Sequence, residues 1–356
     1  MNRPWLERCK LIVCAGSGGV GKTTTAAAIG CLMAARGKKV LVLTIDPAKR
    51  LAQALGINHL NSETKIKEPG FDGELWVSMI DSEKVFREFL GRFGDSVMIE
   101  KIMKNSLYKQ LSTTLSGSQE FTSIIKLHEA VFSGRFDLVI LDTPPAAHAI
   151  DFLSAPEKIT ALFNHRITKW FTPGAAQTDD IISRIINRGT RSIIGLFQKI
   201  TGATFAQDLA DFFEQMRTIQ DKVSLRSQEA QDLLLSDHCA FVLVTSFDAA
   251  KLMEAKDFYL TLRQRGHHLE EVIVNRALPE WFIKMSEHDR KQQAQAMPKE
   301  LSGFFVKYCD YLLAKNQVYD QFKEVPVIRI PDFNRPVHGV AGLIELAGWI
   351  SRGGTP

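Results

Sequence analysis

Apolar residues in this chain fall into short unbroken runs, separated by stretches that repeat every three to four positions. Runs of that kind are strands buried on both faces, and the stretches between them are helices. Leu11 to Ala15 (LIVCA), Lys39 to Ile45 (KVLVLTI), Leu75 to Ile80, Phe136 to Asp142 (FDLVILD), Cys239 to Thr245 (CAFVLVT), Glu271 to Asn275 (EVIVN) and Val325 to Ile330 read as strands. Helices are expected over Thr23 to Arg36, ending at Gly37, over Ala48 to Leu55, and from Asp81-Ser82 through Phe86, Phe89 and Leu90. Further helix is expected over most of 95–133, with a Ser/Thr/Gly break at Ser112 to Ser118. Ala249 to Arg265, a charged hairpin over 280–322 and Val340 to Ile350 complete the helices. Asn58 to Gly73 reads as a polar loop punctuated by glycine.

Between Ser154 and Asp237 no strand pattern occurs. Apolar stripes recur there at helical steps: Ile181, Ile182, Ile185 and Ile186, then Ile193, Ile194, Phe197 and Ile200, then Leu209, Phe212, Phe213, Met216, Ile219 and Val223. The stripes either pack on one another or form a groove for a partner helix. The expected architecture is α/β, a mostly parallel doubly wound sheet carrying a helical insertion. Its core is 1–153 and 238–356, and the insertion is 154–237.

Composition changes this picture little. A chain of 356 residues with 45% hydrophobic content supports a large core, and a net charge of +4 with no Lys/Arg run argues against nucleic acid as a partner. No apolar stretch is long enough to span a bilayer, and the polar start MNRPWLERCK does not read as a signal peptide. Five scattered cysteines without a C-x-x-C fit a reduced, cytoplasmic protein.

The chemistry lies where the first strand meets the first long helix. Gly16, Gly21, Lys22 and Thr23 form the G-x-x-x-x-G-K-[ST] pattern of a phosphate-binding loop. Such a loop closes the backbone N–H groups of Gly18, Gly19, Val20, Gly21, Lys22, Thr23 and Thr24 around phosphate, aided by the helix dipole. Lys22 is expected to neutralise the β and γ phosphates and Thr23 to ligate Mg²⁺. Asp142 closes its strand in the Walker B manner and is expected to hold the same Mg²⁺, and TPPAAH follows as a stiff loop whose conformation reports the γ-phosphate. Asp46, at the tip of the second strand, either orients a water against the γ-phosphate or caps the next helix. Asn275 at its strand tip can serve both edges of adenine, and no Asp follows at the step a guanine site requires, so ATP is favoured over GTP. His148 reads as a packing or hydrogen-bonding residue.

These positions together resemble the family of arsenite-pump ATPases and tail-anchored-protein targeting ATPases, relatives of the MinD/ParA positioning ATPases and of nitrogenase iron protein. TIDPAKRLAQALG resembles its first switch, which implies a water-activating role for Asp46. LDTPPAAHAIDFL resembles its second switch, with Asp142. VIVNRA is similar to its adenine-reading strand end, with Asn275, and RIPDFNRPVHGV to its last nucleotide loop, which brings in Pro331 and Asp332. Asp248 falls where the family carries an acidic nucleotide contact. The resemblance implies an ATP- and Mg²⁺-dependent hydrolase that works as a nucleotide-gated homodimer, or as a heterodimer with a related ATPase subunit. Its partner would be an apolar client helix or a membrane protein, in the cytoplasm or at the membrane periphery. The alternatives are a MinD/ParA-like membrane-positioning ATPase and the energising subunit of an arsenite-type anion transporter. The chain departs from the family at Ser17, where a lysine that reaches the partner subunit's nucleotide is usual. It also lacks the zinc-clasp C-x-x-C, the arsenite-binding thiolates and a second P-loop.

Overall fold

Eight strands form one sheet in the computed structural model, in the order β3-β4-β2-β5-β1-β6-β7-β8. The structure describes residues 3–45, 50–57, 60, 63–68, 70–92, 99–100, 117–162, 220–316, 322, 324–333 and 335–353. The strands are β1 (Leu11–Gly16), β2 (Lys39–Thr44), β3 (Thr64–Ile66), β4 (Glu74–Met79), β5 (Leu138–Asp142), β6 (Cys239–Ser246), β7 (Leu269–Ala277) and β8 (Val327–Pro331). Every neighbouring pair is parallel except β3 with β4. The fold is the expected α/β architecture with a mostly parallel sheet. β1 lies at its centre between β5 and β6, so the chain changes direction across the sheet there, and the carboxyl ends of these strands border a crevice.

Both faces of the sheet are covered, which is why its central strands are apolar without alternation. On one face Ile12, Val42, Ile140, Val242 and Ile273 pack in one cluster with α2 (Lys22–Ala35) and α12 (Gly339–Arg352). α2 is buried nearly all round, with Ala26, Ala27, Ala28 and Ile29 at 0% exposure; small alanines let it lie close to the strands while α12 covers it. α8 (Ala249–Gln264) packs on β6, β1 and β7 through an apolar face that includes Leu252, Phe258 and Leu262. The remaining helices of this unit are α1 (Pro4–Arg8), α3 (Arg50–Leu55), α9 (Glu280–Ile283), α10 (Glu287–Gln295) and α11 (Lys299–Asn316). α10 begins with a full capping box on Ser286 and Asp289 and packs on α11 as a hairpin.

The chain divides into two compact units, one made of 1–79, 133–150 and 234–356, the other of 80–132 and 151–233. In the second unit α4 (Ser82–Gly91) starts at Asp81, whose side chain accepts from the Lys84 amide. α4 packs on α5 (Gly117–Phe132) through edge-on contacts of Phe121 with Phe86 at 5.7 Å and Phe89 at 6.5 Å. α6 (Ala146–Leu162) and α7 (Gln220–Leu235) follow, the former continuous through Pro156. His128 on α5 bonds Glu229 on α7 at 2.6 Å, and burial lowers its pKa. No helix among the described residues is long and apolar enough to cross a membrane.

Two expectations need correction. The stretch 58–73 is not all loop, because Thr64–Ile66 pairs antiparallel with β4. This edge strand is held by side chains rather than by an apolar run: Lys65 bonds Glu74 at 2.5 Å and lies 5.9 Å over Trp76, and with Trp76 it holds the Glu74 carboxyl down at about 2. TPPAAH is loop only as far as Pro145, because α6 begins at Ala146, with the Pro145 carbonyl accepting from Ala149. Of the insertion expected over 154–237, residues 163–219 lie outside the described residues, as do Asp46, the side chain of His148, and 112–116 of the Ser112–Ser118 break.

Candidate functional site

β1 ends in Gly16, whose φ of 148° and closeness to β6 admit no side chain, since a Cβ there would meet the Val244 carbonyl at 1.9 Å. The chain then turns through Ser17 to Gly21 into α2, with Gly21 as its N-cap in the left-handed region. The Lys22 ammonium folds back onto the loop and donates to the Ser17 carbonyl at 2.8 Å. Ser17 is 1% exposed and its hydroxyl is buried without a hydrogen-bond partner; the Glu254 carboxyl on α8 is held below the usual range first by Ser17 and then by Lys251. The serine is therefore enclosed by its own chain rather than presented at the surface.

One turn into α2, the Thr23 hydroxyl donates to Asp142 Oδ2 at 2.7 Å, and the Thr44 hydroxyl at the end of β2 donates to the same oxygen at 3.0 Å. Asp142 is fully buried, and beside it burial and then the Asp142 charge push the Cys14 thiol far up, so that sulfur is inert. Thr143 anchors the following turn, its hydroxyl donating to the Cys14 carbonyl at 3.0 Å. A hydroxyl and a carboxylate brought together at a helix N-terminus form an all-oxygen donor pair. Such a pair suits Mg²⁺, which takes one or two protein oxygens and completes its shell from phosphate and water.

A cavity of about 710 Å³ opens beside this loop. Gly19, Gly21, Lys22, Thr23 and Thr24 line one part of it, and Asn275 and Asp332 another, so the structure brings these predicted residues to one cavity. Asn275 does more than line it. Its amide nitrogen donates to the Val20 carbonyl at 3.0 Å, and its amide oxygen accepts from the Arg276 amide at 3.0 Å. The strand tip is thereby stitched to the phosphate loop 255 positions away.

Other predicted residues lie elsewhere. Asp248 caps α8, accepting from the Lys251 amide at 3.1 Å, and does not line the cavity. Pro331 ends β8 one residue before the cavity-lining Asp332. Sequence reasoning missed Arg50, Arg276, Phe333 and Arg335, which also line the cavity. They lie inside the stretches that resemble the family's first switch, adenine-reading strand end and last nucleotide loop, but nothing there singles them out; they arrive through the start of α3, the end of β7 and the loop after β8.

A glycine loop at the central strand of a parallel sheet, a lysine on that loop and a threonine–aspartate pair beneath it define a P-loop nucleoside triphosphatase. Residues 9–352 match the sequence profile of the anion-transporting ATPases. The chain belongs to that family and is an ATP hydrolase. It is similar to the putative arsenical pump-driving ATPase 1 of Aquifex aeolicus, 25% identical over 346 residues that cover 95% of this chain and 78% of that protein. It is also similar to the ATPase ASNA1 homolog 1 of Paramecium tetraurelia, 24% identical with 95% and 91% of the two chains covered. The ATPase get3 of Aspergillus terreus is 25% identical, with 91% and 85% covered.

Proposed function

We propose that this protein is a Mg²⁺-dependent, nucleotide-gated ATPase of the cytoplasm that acts as a dimer and carries or targets an apolar segment held by its helical insertion, residues 154–237. The observation that supports metal dependence is the Thr23–Asp142 pair at 2.7 Å. Thr23 and Asp142 would hold the ion, which when bound supplies charge neutralisation along the phosphates. Lys22, only 2.8 Å from the Ser17 carbonyl, is poised to swing from that carbonyl to phosphate oxygens. Gly18 to Thr24 present the amide groups that cradle them. Asp46 orients the attacking water, and Asp142, Thr44 and Thr143 fix the floor of the site.

The carrier reading is favoured over an arsenite-driven motor by the thiols. All five cysteines are buried and free, and burial raises the pKa of each of them. Soft-metalloid activation needs accessible thiolates. Dimerisation would have to use groups other than Ser17, which is buried.

The test is a pair of variants. Lys22→Ala should abolish binding of a fluorescent ATP analogue, because phosphate charge is left uncompensated. Asp46→Asn should bind the analogue with Mg²⁺ as tightly as wild type yet turn over at least tenfold more slowly. Wild-type turnover by Asp46→Asn, or turnover that ignores chelation of Mg²⁺, would remove the mechanism. Sedimentation with and without a non-hydrolysable analogue tests the dimer.

A further inference from the structure

Arg276 is the one non-glycine residue among those described with a positive φ, at 53°. It follows Asn275 at the end of β7, where the pairing with β8 slips. Asn275 faces Ile330 and Ala277 faces Pro331, so Arg276 is the extra residue of a bulge. Bulges beside ligand sites re-aim a side chain, and left-handed backbone at a non-glycine residue is held only where its surroundings over-determine it. The surroundings here are known: the Arg276 amide donates to Asn275 Oδ1, whose own amide group holds the phosphate loop. Glycine would meet that backbone requirement with less strain. What arginine adds is its guanidinium.

Arg276 is exposed and lines the cavity, and its guanidinium has no partner among the described residues. Arg335, on the same cavity, is paired with Glu345 at 2.6 Å. β7 lies two strands from β1 in the sheet, but the phosphate loop leans across to it, since the Asn275 side chain reaches the Val20 carbonyl at 3.0 Å, and the Arg276 backbone therefore borders the cavity beside that loop. A nucleotide with its phosphates on Lys22 extends its base away from the loop within the same cavity, whose lining includes Arg276. The apolar ring of Phe333 and the carboxylate of Asp332 line the same cavity.

Resting on the nucleotide reading above, we infer that Arg276 clamps the base, laying its guanidinium plane against the ring and setting a preference for purine over pyrimidine triphosphates. A planar, weakly hydrated cation stacks on an aromatic face in a way an ammonium cannot reproduce, and the larger purine offers it more surface. Asn275, already committed to Val20 and Arg276, acts as the positioning residue that keeps clamp and phosphate loop in register.

The experiment compares wild type, Arg276→Gly and Arg276→Lys for affinity toward ATP, CTP and inorganic tripolyphosphate, alongside melting of the nucleotide-free proteins. Arg276→Gly should melt no lower than wild type, because backbone strain is relieved. Its ATP dissociation constant should rise about 3- to 30-fold, with a smaller change for CTP and none for tripolyphosphate. Arg276→Lys should recover only part of the loss. Unchanged ATP affinity in Arg276→Gly overturns the clamp, as does an equal loss for ATP and tripolyphosphate, which would put the guanidinium on phosphate. If wild type itself fails to bind ATP, the nucleotide reading falls; if it binds and the variants match it, only the clamp does.

Discussion

Gly21→Ala should be costly for two separable reasons, and a second substitution separates them. The residue has φ 97°, which an L-residue adopts at a cost of about 1–2 kcal/mol. Its new Cβ would also stand 2.5 Å from Asn275 Nδ2 and displace the amide from the Val20 carbonyl, costing about 1 kcal/mol more. The single variant should therefore lose about 2.5 kcal/mol of stability, and Asn275→Ala alone about 1 kcal/mol. In the double variant the clash has no partner and the hydrogen bond is already gone. Its loss should stay near 2.5 kcal/mol instead of the additive ~3.5, a coupling of about 1 kcal/mol that exceeds the scatter between independent sites. Urea unfolding of the four nucleotide-free proteins, followed by far-ultraviolet circular dichroism, measures each corner of the cycle. Additive losses would refute the contact between Asn275 and the phosphate loop as the source of the constraint.

Two further outcomes follow from titrating groups. Ser17→Ala should let the Glu254 carboxyl rise toward its ordinary value near 4.5, since Ser17 is the larger of the two influences that hold it down; a carboxyl NMR titration of Glu254 that does not move rejects that influence of Ser17 on Glu254. His128 has a pKa below its ordinary 6.5 because burial disfavours the imidazolium, so its contribution to stability is complete above 6.5 and is lost as pH falls through the lowered value. His128→Gln should make urea midpoints between pH 7.5 and pH 5 less pH-dependent, and an unchanged slope assigns that loss to other groups.

What the sequence disclosed and what it withheld divide along contact range. The run from Leu11 to Arg36 carries its own instructions: an apolar strand, a glycine turn and an alanine helix are local patterns, and the structure forms β1 and α2 there. Asp142 was legible for the same reason, as the polar residue that closes an apolar run. Thr44, which shares the Asp142 carboxylate with Thr23, was not, because an inward-facing threonine at a strand end looks like any β-branched strand residue. The double duty of Asn275 and the bulge at Arg276 depend on a carbonyl 255 positions away and on the register of β8, and neither leaves a periodic trace. β3 was invisible because three residues are too few to alternate and its support comes from Lys65, Glu74 and Trp76 across the pair. Ser17 invited a reading by position in the motif, but its burial depends on packing by parts of the chain far along the sequence.

At the other rim of the sheet, Arg3 forms a buried ion pair with Glu271 near the start of β7, and its guanidinium also donates to the Ser351 carbonyl at 2.7 Å, in the last turn of α12. Two residues 348 positions apart are therefore neighbours, at the strand starts, whereas the phosphate loop and the bulge at Arg276 are at strand ends. One guanidinium thus clasps the helix before β1, the start of β7 and the last turn of α12 to one another. Arg3→Ala should therefore loosen α1, the start of β7 and the last turn of α12 together while leaving the crevice at the opposite strand ends intact. Labels placed on α1 or on the last turn of α12 would likewise sit at the strand starts, away from the phosphate loop.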